Sequence, residues 1–429
     1  MIEQGRELYG AASPQALAAE TYENYKRYVN PPLARVMKLS GSPVEVRAHG
    51  CTIWDHTGKA YLDFAGGYGV FTLGYTHPRV VAAVRAQLEL IALSGKTMFN
   101  VLLGRAARRL AELAPGDLQI SFWCNSGTEA IEGAIKLARA ATGRAKIVST
   151  RDAYHGKTLG ALSVSGRESF QSPFRPLLAD SVCVPYGDAA VLEPALRDAA
   201  AFVVEPVQGE GGVNVPPVGY LKAVREACDT AGALFVADEV QTGLGRCGYR
   251  FGCDRDGVVP DVMTLAKGLS GGVVPVGAFI AKAGVWERAF GDAPLVHTST
   301  FGGAEIACAA ALAAMDVLEE DALARRARER GEQLLRGAQA IAGEFPAVVR
   351  EARGLGLLVG VELTHEGYGG YVIPEMLKAG VTAAWTLNQQ RVIRLEPPLV
   401  VTESEIDCAL AALRAGIAAA YEKLGDLSA

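Results

Sequence analysis

Two side chains at the ends of apolar runs carry the chemistry most easily read from this chain. Asp238 closes ALFVAD (233–238), and Lys267 follows the run VMTLA (262–266). Open α/β sheets bind ligands at the carboxyl ends of their strands. A carboxylate there is partly desolvated and wants a cationic or hydrogen-bonding partner, such as a protonated ring nitrogen. Asp238 would equally cap the next turn or pair with a nearby arginine. The two residues lie 29 positions apart, about one strand–helix–strand crossover, which would put both side chains at one edge of neighbouring strands. A lysine held in such a pocket loses solvation, its pKa falls, and it becomes a nucleophile toward an aldehyde. The plainer alternative is a surface lysine at a turn, since Gly268, Gly271 and Gly272 follow it.

A third signal is Asn125-Ser126-Gly127-Thr128-Glu129-Ala130, between an apolar run and a helical pattern. Ser126 and Glu129 have capping-box spacing, so Ser126 caps the helix while Glu129 reaches back. Gly127 leaves the amides bare and the positive end of the helix dipole faces outward, which suits a phosphate. Alone, the segment reads as a helix cap. Taken together, a phosphate cradle, a carboxylate for a ring nitrogen and a lysine for an aldehyde meet the needs of pyridoxal phosphate. Two other patterns fail. Gly243-Leu-Gly245-Arg-Cys-Gly248 matches GxGxxG but does not open a helix directly after a strand, and Gly156-Lys157-Thr158 lacks the P-loop glycine, with Arg151 in its place. There is no GxSxG elbow, HExxH helix or EF-hand loop, and no metal site is expected.

The elements that would position these residues alternate. Strands are expected at 119–124, 146–149, 201–206, 233–238, 262–266 and 276–281, with helices between them, which implies a mostly parallel sheet covered on both faces. Before them come a helix over 14–29 that stops at Pro31–Pro32 and a small meander turning at Asp55–Gly58. After them come an alanine-rich helical run near 304–341, mixed segments including RVIRLEPPL, and a closing helix. The expected division is 1–70, an arm and part of a small domain; 71–315, a large domain; and 316–429, the rest of the small domain. A net charge of −5 over 429 residues argues against binding nucleic acid by bulk phosphate neutralisation. The N-terminus reads as no signal peptide, with Glu3 where a basic patch would stand, and no apolar run is long enough for a membrane span. Eight scattered cysteines without CxxC pairs read as reduced thiols of a cytoplasmic protein.

The ordered set FAGGYGVFTLGYTHP, CNSGTEAIEGAIKLA, AYHGKTLGALS, VEPVQGEGG, ADEVQTGLGR, TLAKGLSGG, HTSTFGG and RVIRLEPPL resembles the class III (ω-) aminotransferases. Within them it is most similar to the putrescine branch, with the ornithine aminotransferases more distant. The resemblance implies pyridoxal-phosphate fold type I, with a large, mostly parallel seven-stranded sheet and a smaller α+β domain from both termini. It implies that Lys267 carries the cofactor and shuttles a proton, and that Asp238 keeps the pyridine nitrogen protonated. Gln241 would reach the phenolic oxygen, Val240 and Tyr154 the two ring faces, with His155 beside them, and Ser126, Gly127 and Thr128 the phosphate. Thr300 would complete that phosphate site from the second subunit of a homodimer with shared active sites. Arg394 would grip a substrate carboxylate and pair with Glu210 when none is present; the alternative partner for Arg394 is Glu396.

An amine donor and a keto acid or aldehyde acceptor would then exchange an amino group by a ping-pong route, with putrescine or cadaverine and 2-oxoglutarate as the expected pair. Amination of a long-chain or polyketide-derived aldehyde and an ornithine-type reaction are the alternatives. Tyr68 matches a substrate-pocket tyrosine of the ornithine enzymes. Ala304-Glu305-Ile306 replaces the usual Asn-Pro-Leu, and Trp385 stands where a smaller residue is usual. An aminomutase or decarboxylase would use the same Lys267 and Asp238. A cofactor-binding sensor would need a DNA-binding module, for which the sequence offers no helix-turn-helix or basic arm.

Overall fold

The computed structural model describes residues 13–427; the Glu3 segment lies outside them. After the N-terminal helices comes a meander: β1 (Glu45–His49), β2 (Thr52–Asp55) and β3 (Ala60–Asp63), all antiparallel. Asp55 makes its turn, its Oδ1 accepting the Thr57 and Lys59 amides at 2.8 and 3.1 Å. The main sheet holds β4 (Leu118–Cys124), β5 (Lys146–Thr150), β6 (Ser181–Val184), β7 (Ala199–Val204), β8 (Leu234–Asp238), β9 (Val262–Leu265) and β10 (Gly277–Lys282). Its order is β4-β10-β9-β8-β7-β5-β6, and only β10 runs against its neighbours. Strands β7, β8 and β9 are buried along their whole length, as unbroken apolar runs in a doubly covered sheet should be.

A third sheet comes from the C-terminal part: β11 (Val349–Leu355) and β12 (Leu358–Leu363), then, beyond β13 (Val381–Thr382), β14 (Ala384–Trp385) and β15 (Val392–Leu395). Strand β13 leaves this sheet and pairs in parallel with β3, so a late segment of the chain completes the early meander.

Three expectations change. Pro31–Pro32 end the first helical stretch but also open a new helix, Pro31–Leu39, because proline is tolerated in a first turn; Asn30 Oδ1 caps it on the Leu33 amide at 3.1 Å. The alanine-rich run is two helices, Glu305–Glu320 and Leu323–Glu344, broken where Ala322 takes φ +49°. No glycine or proline marks that break, so periodicity passed over it. Strand β6 escaped notice because it is four residues long and half exposed at the sheet edge. Among the described residues no helix is long and apolar enough to cross a membrane.

Candidate active site

The carboxyl ends of β4, β7, β8 and β9 open onto one cavity of about 560 Å3. Ser126, Gly127, Thr128, Tyr154, His155, Asp238, Val240, Gln241 and Lys267 all line it. Residues more than 140 positions apart meet there because β8 and β9 are neighbours and the helix after β4, α1 (Gly127–Thr142), starts at the same edge.

Ser126 caps α1, its hydroxyl accepting the Glu129 amide at 3.3 Å. Glu129 reaches back one residue further than a standard capping box, to the Asn125 amide at 2.7 Å. The amides of Gly127 and Thr128 are left facing the cavity end, and a β-carbon on Gly127 would lie 2.9 Å from Val240. That crowding, with the dipole of a 16-residue helix behind it, makes a cradle suited to a phosphate.

Asp238 is buried and held by three partners. Its Oδ1 accepts the Val240 amide and the Thr264 hydroxyl, each at 3.1 Å, and its Oδ2 faces His155 Nδ1 at 2.6 Å. Burial works against a charged His155, but the Asp238 hydrogen bond and charge, with help from Glu205, hold its pKa above the ordinary value. His155 Nε2 has no partner among the described residues. Lys267 follows β9 with φ +45°, a left-handed conformation that costs a side-chain-bearing residue about 1–3 kcal/mol and persists only where the surroundings impose it. Burial pulls the Lys267 amine below the usual lysine range, against the attraction of Glu396, Glu210 and Asp238. A neutral amine is the nucleophilic form.

Arg394 and Glu210 do not line this cavity but act on the charge of Lys267 as a buried pair, with Arg394 Nη1 2.7 Å from Glu210 Oε1. Glu210 Oε2 also accepts the Leu387 amide at 2.7 Å. Burial would raise the Glu210 pKa, but Arg394 and Lys267 together hold it below the ordinary carboxylate value. Glu396 is a partner of Arg394 as well, at 3.2 Å from Nε. Arg394 Nη2 has no partner among the described residues. The Tyr68 ring lies 5.3 Å from the Arg394 guanidinium and is itself half exposed. Trp385 pairs with Ile393 on the strand beside Arg394 and is 43 % exposed. Thr300 is exposed and does not line this chain's own cavity.

Several residues at the site were not singled out from the sequence. Glu205 follows β7, lines the cavity and accepts the Tyr154 amide at 3.1 Å. An acid just after a buried strand is the same signal that marked Asp238, so it was available. Burial drives Glu205 from about 4.5 up to about 8, and the Asp238 charge adds to it. A carboxyl whose folded pKa is raised stabilises the fold fully below its unfolded pKa and loses that contribution as pH rises through the folded value. Wild-type thermal midpoints should therefore fall between about pH 4.5 and 8 more steeply than those of Glu205→Gln. Parallel curves from differential scanning calorimetry would refute this. The GxGxxG stretch is a run of turns around the buried Arg246, whose Nη1 donates to the Leu357 and Pro397 carbonyls at 2.9 and 2.5 Å.

A bare helix N-terminus, a hydrogen-bonded carboxylate and a desolvated lysine on one sheet edge define a pyridoxal-phosphate enzyme of fold type I. The chain belongs to the class III aminotransferases, whose family model matches residues 40–417. It is similar to the ornithine aminotransferase of Toxoplasma gondii, at 34 % identity over 98 % of this chain and 99 % of that one, with a TM-score of 0.88. It also resembles an amine transaminase from an uncultivated Pseudomonas species in its pyridoxal-phosphate-bound form. Identity there is 31 % over 88 % of this chain and 95 % of that one, with a TM-score of 0.83. An (S)-enantioselective omega-transaminase from Thermomicrobium roseum gives 31 % over 94 % and 99 %, with a TM-score of 0.86. The protein is an aminotransferase that uses pyridoxal phosphate, with a small-molecule amine and a carbonyl compound as its substrates.

Proposed function

We propose that this aminotransferase moves a terminal amino group from a diamine of the putrescine or cadaverine type, or a related ω-amino compound, to 2-oxoglutarate by a ping-pong route. Arg394 carries this reading. It is a fully buried guanidinium with Nη1 on Glu210 and Nη2 without a partner among the described residues, close enough to act on the charge of Lys267. With Glu210 in place, the guanidinium charge is balanced and an amine without a carboxylate is accommodated. When Glu210 withdraws, both terminal nitrogens can hold a carboxylate in a fork.

When bound, pyridoxal phosphate supplies an aldehyde that takes up the amino group and a ring that withdraws electrons. Ser126, Gly127 and Thr128 would hold its phosphate, Asp238 would keep the ring nitrogen protonated with His155 bonded to the carboxylate, and Val240 and Tyr154 would contact the ring. Gln241 would donate to the phenolic oxygen, and Lys267 Nζ would move the proton at the reacting carbon. Thr300 would reach the partner subunit's cavity in a cytoplasmic homodimer. The exposed Met98, Phe99, Leu295, Val296 and Phe301 support a covered face there.

Adding putrescine to the yellow holoenzyme should bleach its visible band, and 2-oxoglutarate should restore it. Bleaching by glutamate or a long-chain alkylamine with putrescine inert would move the enzyme to aldehyde amination. The Tyr68 ring against Arg394 favours a second reading, an ornithine-type reaction. Bleaching by ornithine alone would select it.

A further inference from the structure

Glu396 has no part in that scheme, yet several groups share its carboxylate. It lies just past β15, wholly buried. Both its oxygens accept Gln241 Nε2, at 3.1 and 2.9 Å, while Oε2 faces Arg394 Nε at 3.2 Å. Arg246 Nε approaches Oε1 at 3.7 Å. The backbone is pinned too, since the Glu396 amide donates to the Phe64 carbonyl at 2.8 Å. A β-carbon on Gly69 would lie 2.7 Å from Oε1, so the space around the carboxylate is closed.

Building on the assignment of Arg394 to substrate carboxylates and Gln241 to the cofactor ring, we propose that Glu396 is a positioning and selectivity residue. It orients both side chains and biases the site toward amines that lack a carboxylate. By occupying Nε, Glu396 sets the plane of the guanidinium and leaves the Nη1–Nη2 edge for Glu210 or a ligand. An amide nitrogen carries two hydrogens, so Gln241 can keep one on Glu396 and turn the other to the ring oxygen. The charges also balance, with Arg246 and Arg394 set against Glu396 and Glu210. When Glu210 withdraws, Glu396 remains as the fixed anion, so the pocket does not become a strong trap for any carboxylate. Lys267 faces Glu396, Glu210, Asp238 and Arg394 together, and so senses the same balance.

The test is Glu396→Gln in the holoenzyme, which keeps shape and removes charge. A more positive pocket should lower the KM for 2-oxoglutarate and raise that for the amine donor, moving their ratio by about tenfold or more. The pH titration of the cofactor's visible band should shift to lower pH, because a cationic nitrogen at Lys267 loses a neighbouring anion. Glu396→Asp, which keeps the charge, should return both readouts toward wild type. Michaelis constants that move together, or a band titration that stays put, would overturn the proposal.

If Glu396→Gln does not fold, a crystal structure of the wild-type enzyme with glutarate decides. Glu396 should keep Arg394 Nε and Gln241 Nε2 while Glu210 is displaced; glutarate on Arg394 with Glu396 displaced would refute it. Failure of the underlying assignment looks different: Arg394→Ala would then leave the 2-oxoglutarate KM unchanged, and glutarate would not seat on Arg394.

Discussion

Replacing Lys267 with alanine is expected to lower turnover by about 10⁴-fold or more and to change the visible band of the bound cofactor, while the fold survives. The side chain projects into the cavity rather than the core, so its removal exposes no apolar contact. What disappears is an amine that burial pulls below the usual lysine range, which favours its neutral, nucleophilic form. Water can replace neither role well, because it is less basic than an amine and is not tethered to the cavity wall as the Lys267 side chain is. Steady-state turnover, absorbance and the thermal midpoint should be measured on one preparation. A folded variant that keeps a tenth of the wild-type turnover would remove Lys267 from the chemistry.

Arg394→Ala is expected to raise the KM for 2-oxoglutarate by about 10²-fold or more and to change the response to putrescine far less. Truncating one partner of a buried, hydrogen-bonded charge pair typically costs 2–5 kcal/mol or more, roughly that range of affinity. An aminomutase or decarboxylase needs no such switch, so unchanged 2-oxoglutarate turnover would defeat the assignment of Arg394. The substitution also strands Glu210 and Glu396 as buried carboxylates beside one remaining guanidinium, at a cost of about 3–5 kcal/mol.

That cost should depend on pH. In the wild type, the depressed Glu210 pKa gives stability that is present above the ordinary value near 4.5 and is lost as pH falls through the folded value. Without Arg394, burial dominates and raises the Glu210 pKa, so the variant should lose stability as pH rises from about 4.5 toward neutrality. Between about pH 4.5 and neutrality, chemical denaturation should show the variant losing stability more steeply than the wild type, whose Glu210 contribution falls away only below about pH 4.5.

How far the sequence reached depended on the range of the interaction involved. Unbroken apolar runs and their terminal acids are local signals, so β7, β8 and β9, with Asp238 and Lys267 at the ends of the last two, were legible from composition and spacing alone. The cap at Ser126 was equally local, and the family motifs supplied fold type I, the cofactor and the reaction class. Signals spread over two or three weakly patterned residues were lost, as at β6 and at the Ala322 break.

Only the tertiary structure decided which charges share a cavity. The family resemblance offered Glu210 as the partner of Arg394, with the neighbouring Glu396 as the alternative, and the fold uses both. It also brings Gln241 and Arg246 onto the same carboxylate. Those five residues come from three separate stretches, so no periodicity links them. A buried charge is stable only when its counter-charges arrive with it, and that depends on how β15 packs against the turns after β8.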